Sequence, residues 1–380
     1  MKIVIAISHS FCANFIRGQA RYLKNRGCEV VIVSAPGPEV SAVADEEGAR
    51  LVEIPFSREI SLASDSKSLV AVIKFLRKEK PSIINAGNPK TGFLFMLAKL
   101  IFPAIPMIFT LRGLRSDTLS GLKKRVVTFT EWLSCYLADR VIVISPSLKT
   151  HAVQRKILNE SKAIVLGKGS SNGVDVTKYA LNDENQQSGI ALRERLGVVN
   201  TFVIGYVGRI TKDKGIEEVY EAFRICRSKH ENIKLILTGP VENDDPLDEQ
   251  LMTVMKDDRD VLFLGKTQDV TSVYAAYDLL VLYSYREGFG NVALEASSMQ
   301  RPVIVSDIPG GRDTTEHMKS GIIVKPRDPE ALAKALNIYI ENPSLAIQHG
   351  AYGARRARDS FASEVIWDGQ FKLYRQLIKR

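Results

Sequence analysis

Short runs of aliphatic and β-branched residues alternate with longer amphipathic stretches along most of the 380 residues. In the first half, residues 3–7, 30–34, 51–54, 83–85, 107–110 and 141–144 are predicted strands. Between them, residues 13–25, 66–78 and 119–138 place apolar side chains at helical spacing. Strands apolar at successive positions must be covered on both faces, which predicts a parallel sheet sandwiched by helices. The most apolar stretch, 93–109, is interrupted by Lys99, Pro103 and Pro106. It falls short of the ~20 apolar residues of a membrane span and predicts a core helix, a turn and a strand.

The alternation restarts with strands at 202–207, 233–237, 261–264, 279–282 and 303–305 and helices such as 216–229 and 270–277. Residues 167–189, rich in Gly, Ser, Asn and Gln, read as a linker. After Pro326 the pattern is helical, and its last segment, 364–380, carries the stripe Val365, Ile366, Phe371, Tyr374 and Leu377, which needs a partner surface. The fold class predicted is α/β with two Rossmann-like domains, 1–180 and 181–362, and a terminal helix, 363–380, packing back toward the first.

Composition narrows the picture. With 45% hydrophobic and 25% charged residues the chain reads as soluble and globular. Cys12, Cys28, Cys135 and Cys226 form no Cys-x-x-Cys pair, which suits a reducing, cytoplasmic setting and neither a zinc site nor a disulfide framework. The N-terminal apolar run is too short for a signal peptide and predicts a buried first strand. The net charge of +9 points to phosphorylated substrates or an anionic membrane surface. No aromatic RNA-binding box, zinc finger or long basic tail accompanies it, so nucleic acid is not an expected partner.

Doubly wound sheets bind ligands beyond the C-terminal ends of their strands. In the second half those positions hold Gly208-Arg209, Gly239, Gly265-Lys266 and residues 283–290. Arg209 and Lys214 flank a turn that ends in Gly215 at a predicted helix start, where cations and a helix N-terminus favour an anion. A solvated basic turn would carry the same residues. The segment Glu287-Gly288-Phe289-Gly290-Asn291-Val292-Ala293-Leu294-Glu295 is more specific. Its glycines leave backbone N–H groups at a helix start, and its carboxylates suit sugar hydroxyls. A helix-end charge at Glu287 and a solvated Glu295 would not explain the glycines and the aromatic residue between them.

This segment resembles the E-x7-E signature of retaining family 4 glycosyltransferases, which have the GT-B fold of two Rossmann-like domains facing across a cleft. Asn172-Gly173-Val174-Asp175 is similar to the family's linker, Val207-Gly208-Arg209 with Lys214-Gly215 to its diphosphate clamp, and Gly265 to its base-proximal turn. The resemblance implies that Arg209 and Lys214 hold a donor diphosphate, that backbone N–H groups of Phe289 to Val292 bind phosphate and sugar, and that Glu287 contacts the transferred sugar and Glu295 the ribose. It implies no cofactor beyond the donor, a UDP-sugar or GDP-sugar, and no metal. Asp258-Arg259-Asp260 has an Asp-x-Asp form but precedes strand 261–264, the wrong end of the sheet, and Asp244, Asp245 and Asp248 read as a solvated acidic loop.

Two departures stand out. Residues 8–13 lack the paired glycines many family members carry, with His9 either a ligand group or a structural one. Arg112 stands where the family commonly has a histidine, and an arginine is no general base at neutral pH. Arg112, with Arg115, is expected either to bind a phosphate or to pair with a carboxylate. Lys123-Lys124-Arg125, beside Leu119, Leu122, Val126, Phe129 and Leu133, reads as a basic amphipathic helix, either membrane-facing at the inner surface or core-facing with a solvated edge. The expected activity is retaining transfer of a hexose or N-acetylhexosamine to a polyprenyl-diphosphate-linked saccharide in surface-polysaccharide assembly. A UDP-sugar epimerase and a non-enzymatic anion- or nucleic-acid-binding protein are the other readings.

Overall fold

The computed structural model describes residues 1–57, 61–242 and 245–379. The chain forms two compact units, Met1–Gly173 with Ser363–Arg380, and Val174–Ala362. Residues 174–180, grouped with the first domain in the sequence reading, thus fall in the second unit.

The first unit is built on seven strands: β1 (Lys2–Ala6), β2 (Glu29–Ser34), β3 (Arg50–Glu53), β4 (Ile83–Gly87), β5 (Met107–Leu111), β6 (Arg140–Val143) and β7 (Ala163–Ile164). They pair in the order β3-β2-β1-β4-β5-β6-β7, all parallel. Ile3, Ile5, Ile32, Ile83 and Ile108 form the core face, and Ile366, Leu373 and Tyr374 of the helix Ser363–Ile378 are buried against it. Tyr374 Oη accepts from Asn85 Nδ2 at 2.7 Å, and Gln19 Nε2 donates to Gln370 Oε1.

The expected helix 13–25 is instead a short 3-10 turn, Ser10–Phe15, and a separate helix, Gln19–Lys24. Glu47, buried on the neighbouring helix, accepts from the backbone N–H groups of Gly18, Ala20 (2.8 Å) and Arg21 (3.2 Å). Its carboxylate satisfies the otherwise unpaired donors of a helix start, so the helix begins there rather than at residue 13.

The second unit has six parallel strands: β8 (Phe202–Val207), β9 (Ile233–Thr238), β10 (Val261–Gly265), β11 (Leu279–Leu282), β12 (Val303–Ser306) and β13 (Gly321–Val324). Their order is β10-β9-β8-β11-β12-β13. One face packs Tyr206, Phe223, Leu336 and Tyr339, the other Tyr274, Tyr277, Ala293 and Ala296.

The predicted linker is partly wrong: its second part is helix, Asp183–Leu196. Asn182 caps it by accepting from Asn185 N at 2.9 Å, with Asp183 and Glu184 in its first turn and Arg193 and Arg195 in its last. Gly189 sits so close to Ala275 that a Cβ there would lie 2.6 Å from the alanine's own, which ties the polar helix to Val270–Ala276.

Candidate active site

In the second sheet the chain leaves β8 toward β9 on one side and returns to β11 on the other. The crevice beyond the C-terminal ends of β8 and β11 is therefore the switch point at which doubly wound sheets take ligands. Two of the segments singled out in the sequence, the one after β8 and the one after β11, meet there. The 3-10 turn Lys212–Lys214 follows β8, and Lys214 Nζ reaches Glu287 Oε1, in the loop after β11, at 2.5 Å. Ser284 Oγ donates to the same oxygen at 2.7 Å. Both ion-pair partners are largely shielded, at 15% and 14% side-chain exposure, so their charges are less screened than a surface pair.

Arg209 lies just beyond β8. It pairs with Glu242 at 3.0 Å and stands 3.6 Å from Asp213, while its carbonyl accepts from Tyr206 Oη at 2.6 Å. Gly215 follows Lys214 with φ +65° and starts the helix Ile216–Arg227. The β11 loop is held by backbone. Tyr285 N donates to Asp213 O at 2.9 Å, and Ser306 Oγ at the end of β12 donates to Ser284 O at 2.5 Å. Gly310, at φ +83°, presses on the same turn, since a Cβ would come within 2.5 Å of Gly288 O and 2.7 Å of Glu287 O. Only glycine fits that conformation and that gap.

Gly290, at φ +74°, caps the helix Asn291–Ser298 with no side-chain bond to its first turn. That end therefore carries the partial positive charge of a helix N-terminus. Phe289 is buried against Phe361, ring centroids 5.7 Å apart, so it fixes the loop while its side chain points away from solvent. Val292 packs on the core from the helix's first turn. Glu295 lies one turn further in and accepts from Tyr274 Oη at 2.7 Å. Burial pushes its carboxyl up, against the opposing pull of Tyr274 and Lys178. Gly265 closes β10 at φ +64°, its carbonyl accepting from Gly239 N at 2.9 Å.

The acidic residues have structural roles. Asp258 and Asp260 pair with Arg227 at 2.5 and 3.2 Å, and Asp260 with Lys234 at 2.5 Å, before β10 begins. The acidic loop is not simply solvated. Asp245 accepts from Asp213 N at 2.7 Å and Asp248 caps the helix Glu249–Asp257 by accepting from Leu251 N at 2.9 Å. Asp244 lies outside the described residues.

In the first unit Arg112 follows β5. Its Nη1 donates to Ser171 O at 3.2 Å and to Ser171 Oγ, its guanidinium lies 5.1 Å from the Phe15 ring centroid, and its Nε is buried without a partner. No ion pair joins it to a carboxylate among the described residues, so the expected carboxylate partner is not found. Burial lowers its pKa to about 10. His9 stacks on Phe11, centroids 5.4 Å apart.

Sequence reasoning missed the groups that position the site: Ser284, Tyr274, Glu242 and Gly310. Ser284 was legible as a hydroxyl three residues before Glu287, whereas the other three are remote in sequence.

With this geometry in view, two family models match: "Glycosyl transferases group 1" over residues 191–356 and "Glycosyl transferase 4-like domain" over 12–169. The capsular polysaccharide biosynthesis glycosyltransferase CapM of Staphylococcus aureus is 36% identical over 380 residues, covering 100% of this chain and 98% of that protein. The chain belongs to the glycosyltransferases. An Escherichia coli UDP-Gal:alpha-D-GlcNAc-diphosphoundecaprenol alpha-1,3-galactosyltransferase is 28% identical over 80% of this glycosyltransferase and 78% of its own length. The solved structure of Anabaena Alr3699/HepE in complex with UDP matches at a TM-score of 0.80 with 20% identity, covering 99% of this chain and 100% of that one. The fold of this glycosyltransferase is GT-B.

The basic helix of the glycosyltransferase, Gly121–Leu137, turns Val127, Glu131, Ser134 and Cys135 inward. Leu122 (76% exposed), Phe129 (56%) and Tyr136 (62%) face outward with Val126 and Trp132. Trp132 stacks on Tyr136 with centroids 5.3 Å apart. No helix among the described residues is long and apolar enough to cross a membrane.

Proposed function

We propose that this glycosyltransferase transfers a hexose or N-acetylhexosamine, with retention and without a metal, from a UDP-sugar or GDP-sugar to a polyprenyl-diphosphate-linked saccharide in surface-polysaccharide assembly. The single observation that carries the reading is the Lys214–Glu287 pair at the switch point, beside Arg209 and a helix start capped only by glycine. The acceptor class is supported by the name of the Escherichia coli relative, and the pathway by that of CapM.

On this reading the anomeric carbon–oxygen bond to the diphosphate breaks and the acceptor oxygen bonds to that carbon. Negative charge grows on the leaving diphosphate, where Arg209, Lys214 and the N–H groups of Phe289 to Val292 stabilise it without reorganisation. The acceptor's proton passes to a leaving-phosphate oxygen. Glu287 orients the sugar hydroxyls, and Glu295 the ribose. Among the described residues near the clamp, the carboxylates are already paired, which favours front-face attack over a covalent intermediate. Arg112 binds a phosphate of donor or acceptor. The outward apolar and aromatic stripe of Gly121–Leu137, beside Lys123, Lys124 and Arg125, rests on an anionic inner-membrane surface.

A nucleotide-sugar panel scored by thermal shift, followed by transfer to a lipid-linked saccharide with and without EDTA, tests the reading. The expected result is stabilisation by one UDP- or GDP-sugar, EDTA-resistant transfer and an axial product anomer by proton NMR. An inverted anomer, metal-dependent turnover, or isomerisation of the donor without acceptor would overturn it.

A further inference from the structure

The turn after β8 that carries Arg209 is fixed through its backbone. Gly208 N donates to Thr238 O at 2.9 Å, Ile210 N to Pro240 O at 2.8 Å and Lys212 N to Asp245 O at 2.9 Å. Ile210 and Val241 form a parallel bridge, so residues that follow β9 run beside the turn. Gly239 packs on it so tightly that a Cβ there would lie 1.8 Å from Gly208 O. The hydroxyl of Tyr206, a fully buried residue, holds the Arg209 carbonyl.

None of these bonds uses the guanidinium. Arg209 Nη1 donates to Glu242 Oε2 at 3.0 Å, and Nη2 stands 3.6 Å from Asp213 Oδ2. The two carboxylates differ in what else holds them. Asp213 is tied in place, with Oδ1 accepting from Thr211 Oγ1 at 2.6 Å and its N–H donating to Asp245 Oδ2 at 2.7 Å. Among the described residues the Glu242 carboxylate is paired with Arg209 alone. The side chains of Arg209 and Glu242 are 43% and 35% exposed, so this pair opens into water at little cost, unlike the shielded pair of Lys214 and Glu287. The Glu242 side chain thus neutralises the arginine without supporting the turn.

A diphosphate offers a guanidinium two oxygens at once and more charge than a single carboxylate, so it wins the exchange. We infer that Glu242 is a displaceable counter-ion for Arg209. It holds the guanidinium between turnovers, gives way to the donor's diphosphate, and takes the arginine back as the nucleoside diphosphate leaves. Glu242 thereby lowers the affinity for donor and product alike, which favours product release. The inference rests on the reading that Arg209 takes the donor's diphosphate.

The test titrates the full chain by calorimetry with UDP, or with GDP if the thermal-shift panel selects it, and with the matching nucleoside. Glu242→Gln is expected to tighten the nucleoside diphosphate by about threefold to fivefold at low salt and to leave the nucleoside unchanged. The gain should shrink as salt is raised, because the pair is exposed. In an Arg209→Ala background the same substitution should lose that gain, since the two residues act through each other. A residue that merely supported the turn would weaken both ligands when changed. Weaker or unchanged diphosphate binding in Glu242→Gln, an equal change for the nucleoside, or a gain of the same size with Arg209→Ala would each overturn the inference. Wild-type protein that binds neither UDP nor GDP would overturn the nucleotide-sugar reading and the counter-ion role with it. Wild-type binding that Glu242→Gln leaves as it was would sink the counter-ion role alone.

Discussion

At the scale of single residues, the site combines charges that hold one another in place until a substrate competes for them. Lys214 and Glu287 neutralise each other at 2.5 Å, and on the proposed reading an arriving diphosphate shares the ammonium with the carboxylate. Glu287→Gln is expected to lower kcat by about 10²–10³-fold while UDP binds at least as tightly as to wild type, because the lysine loses a competing anion. Weaker UDP binding in that variant would place Glu287 in ground-state nucleotide binding. Glu295 makes a pH-dependent prediction. Burial raises its pKa in the folded state, so the folded chain holds that proton more tightly than the unfolded one, and stability is lost as pH climbs from the ordinary carboxylate range through the raised value. Glu295→Gln should therefore raise the ligand-free Tm by about 2–4 °C at pH 7.5, the gain vanishing near pH 4, and calorimetry at the two pH values checks this. Arg112 has the opposite charge and the same logic. Its pKa is lowered to about 10 by burial, so its charge destabilises the fold at neutral pH, a cost lifted only as pH rises through that value. Arg112→Met should raise the ligand-free Tm by about 2–4 °C while turnover falls. A lower Tm would mean that the bonds to Ser171 outweigh the desolvated charge.

At the scale of elements, most strands were readable from their apolar runs, and the two that were lost have separate causes. β7 is two residues, and β13 opens on Gly321, which a propensity argument marks as turn rather than strand. The helix Asp183–Leu196 hid in polar sequence because its caps and end charges, not an apolar stripe, identify it. The segment that carries the candidate carboxylates was legible as one unit. Glu287, Gly288, Gly290 and Glu295 are spaced along one strand–loop–helix unit, so local sequence carries their geometry, whereas Tyr274 and Glu242 reach the site only through the sheet. For Gly121–Leu137 the sequence left two orientations open, since a helix with apolar residues on more than one side has no unique inward face. Leu122, Phe129 and Tyr136 face outward beside Lys123, Lys124 and Arg125, and the proposed membrane role rests on that juxtaposition of apolar and basic side chains. Wild-type protein should float with vesicles of anionic lipid at low salt and less at high salt. Phe129→Ser combined with Trp132→Ser should cut the floated fraction by about tenfold at unchanged UDP affinity. Equal flotation of variant and wild type would remove the membrane role.

At the scale of the whole molecule, the first unit is discontinuous: its last helix, Ser363–Ile378, is reached only after the whole second unit has been made. The sequence showed an apolar stripe in need of a partner, but the partner is a surface hundreds of residues earlier, which no local pattern specifies. Ile366, Leu373 and Tyr374 are buried to 1%, 6% and 0% exposure on the core formed by β1, β2, β4 and β5. Each buried side chain of that size contributes about 1.5–3 kcal/mol, and loss of the Tyr374 bond leaves Asn85 Nδ2 buried without its acceptor at a further cost of about 1–3 kcal/mol. Together these approach the ~5–15 kcal/mol that holds a typical domain. A chain ending at Ala362 should therefore lose the first unit cooperatively while the second persists. Hydrogen exchange would show β1 and β4 amides unprotected and β8, β9 and β11 amides protected as in the full chain, with UDP still bound by the second unit. Tyr374→Phe, which keeps the ring and removes only the hydroxyl, should instead lower the first unit's stability by about 1–3 kcal/mol without unfolding it. Retained protection of β1 and β4 in the truncated chain would show that the helix covers the sheet without holding it together.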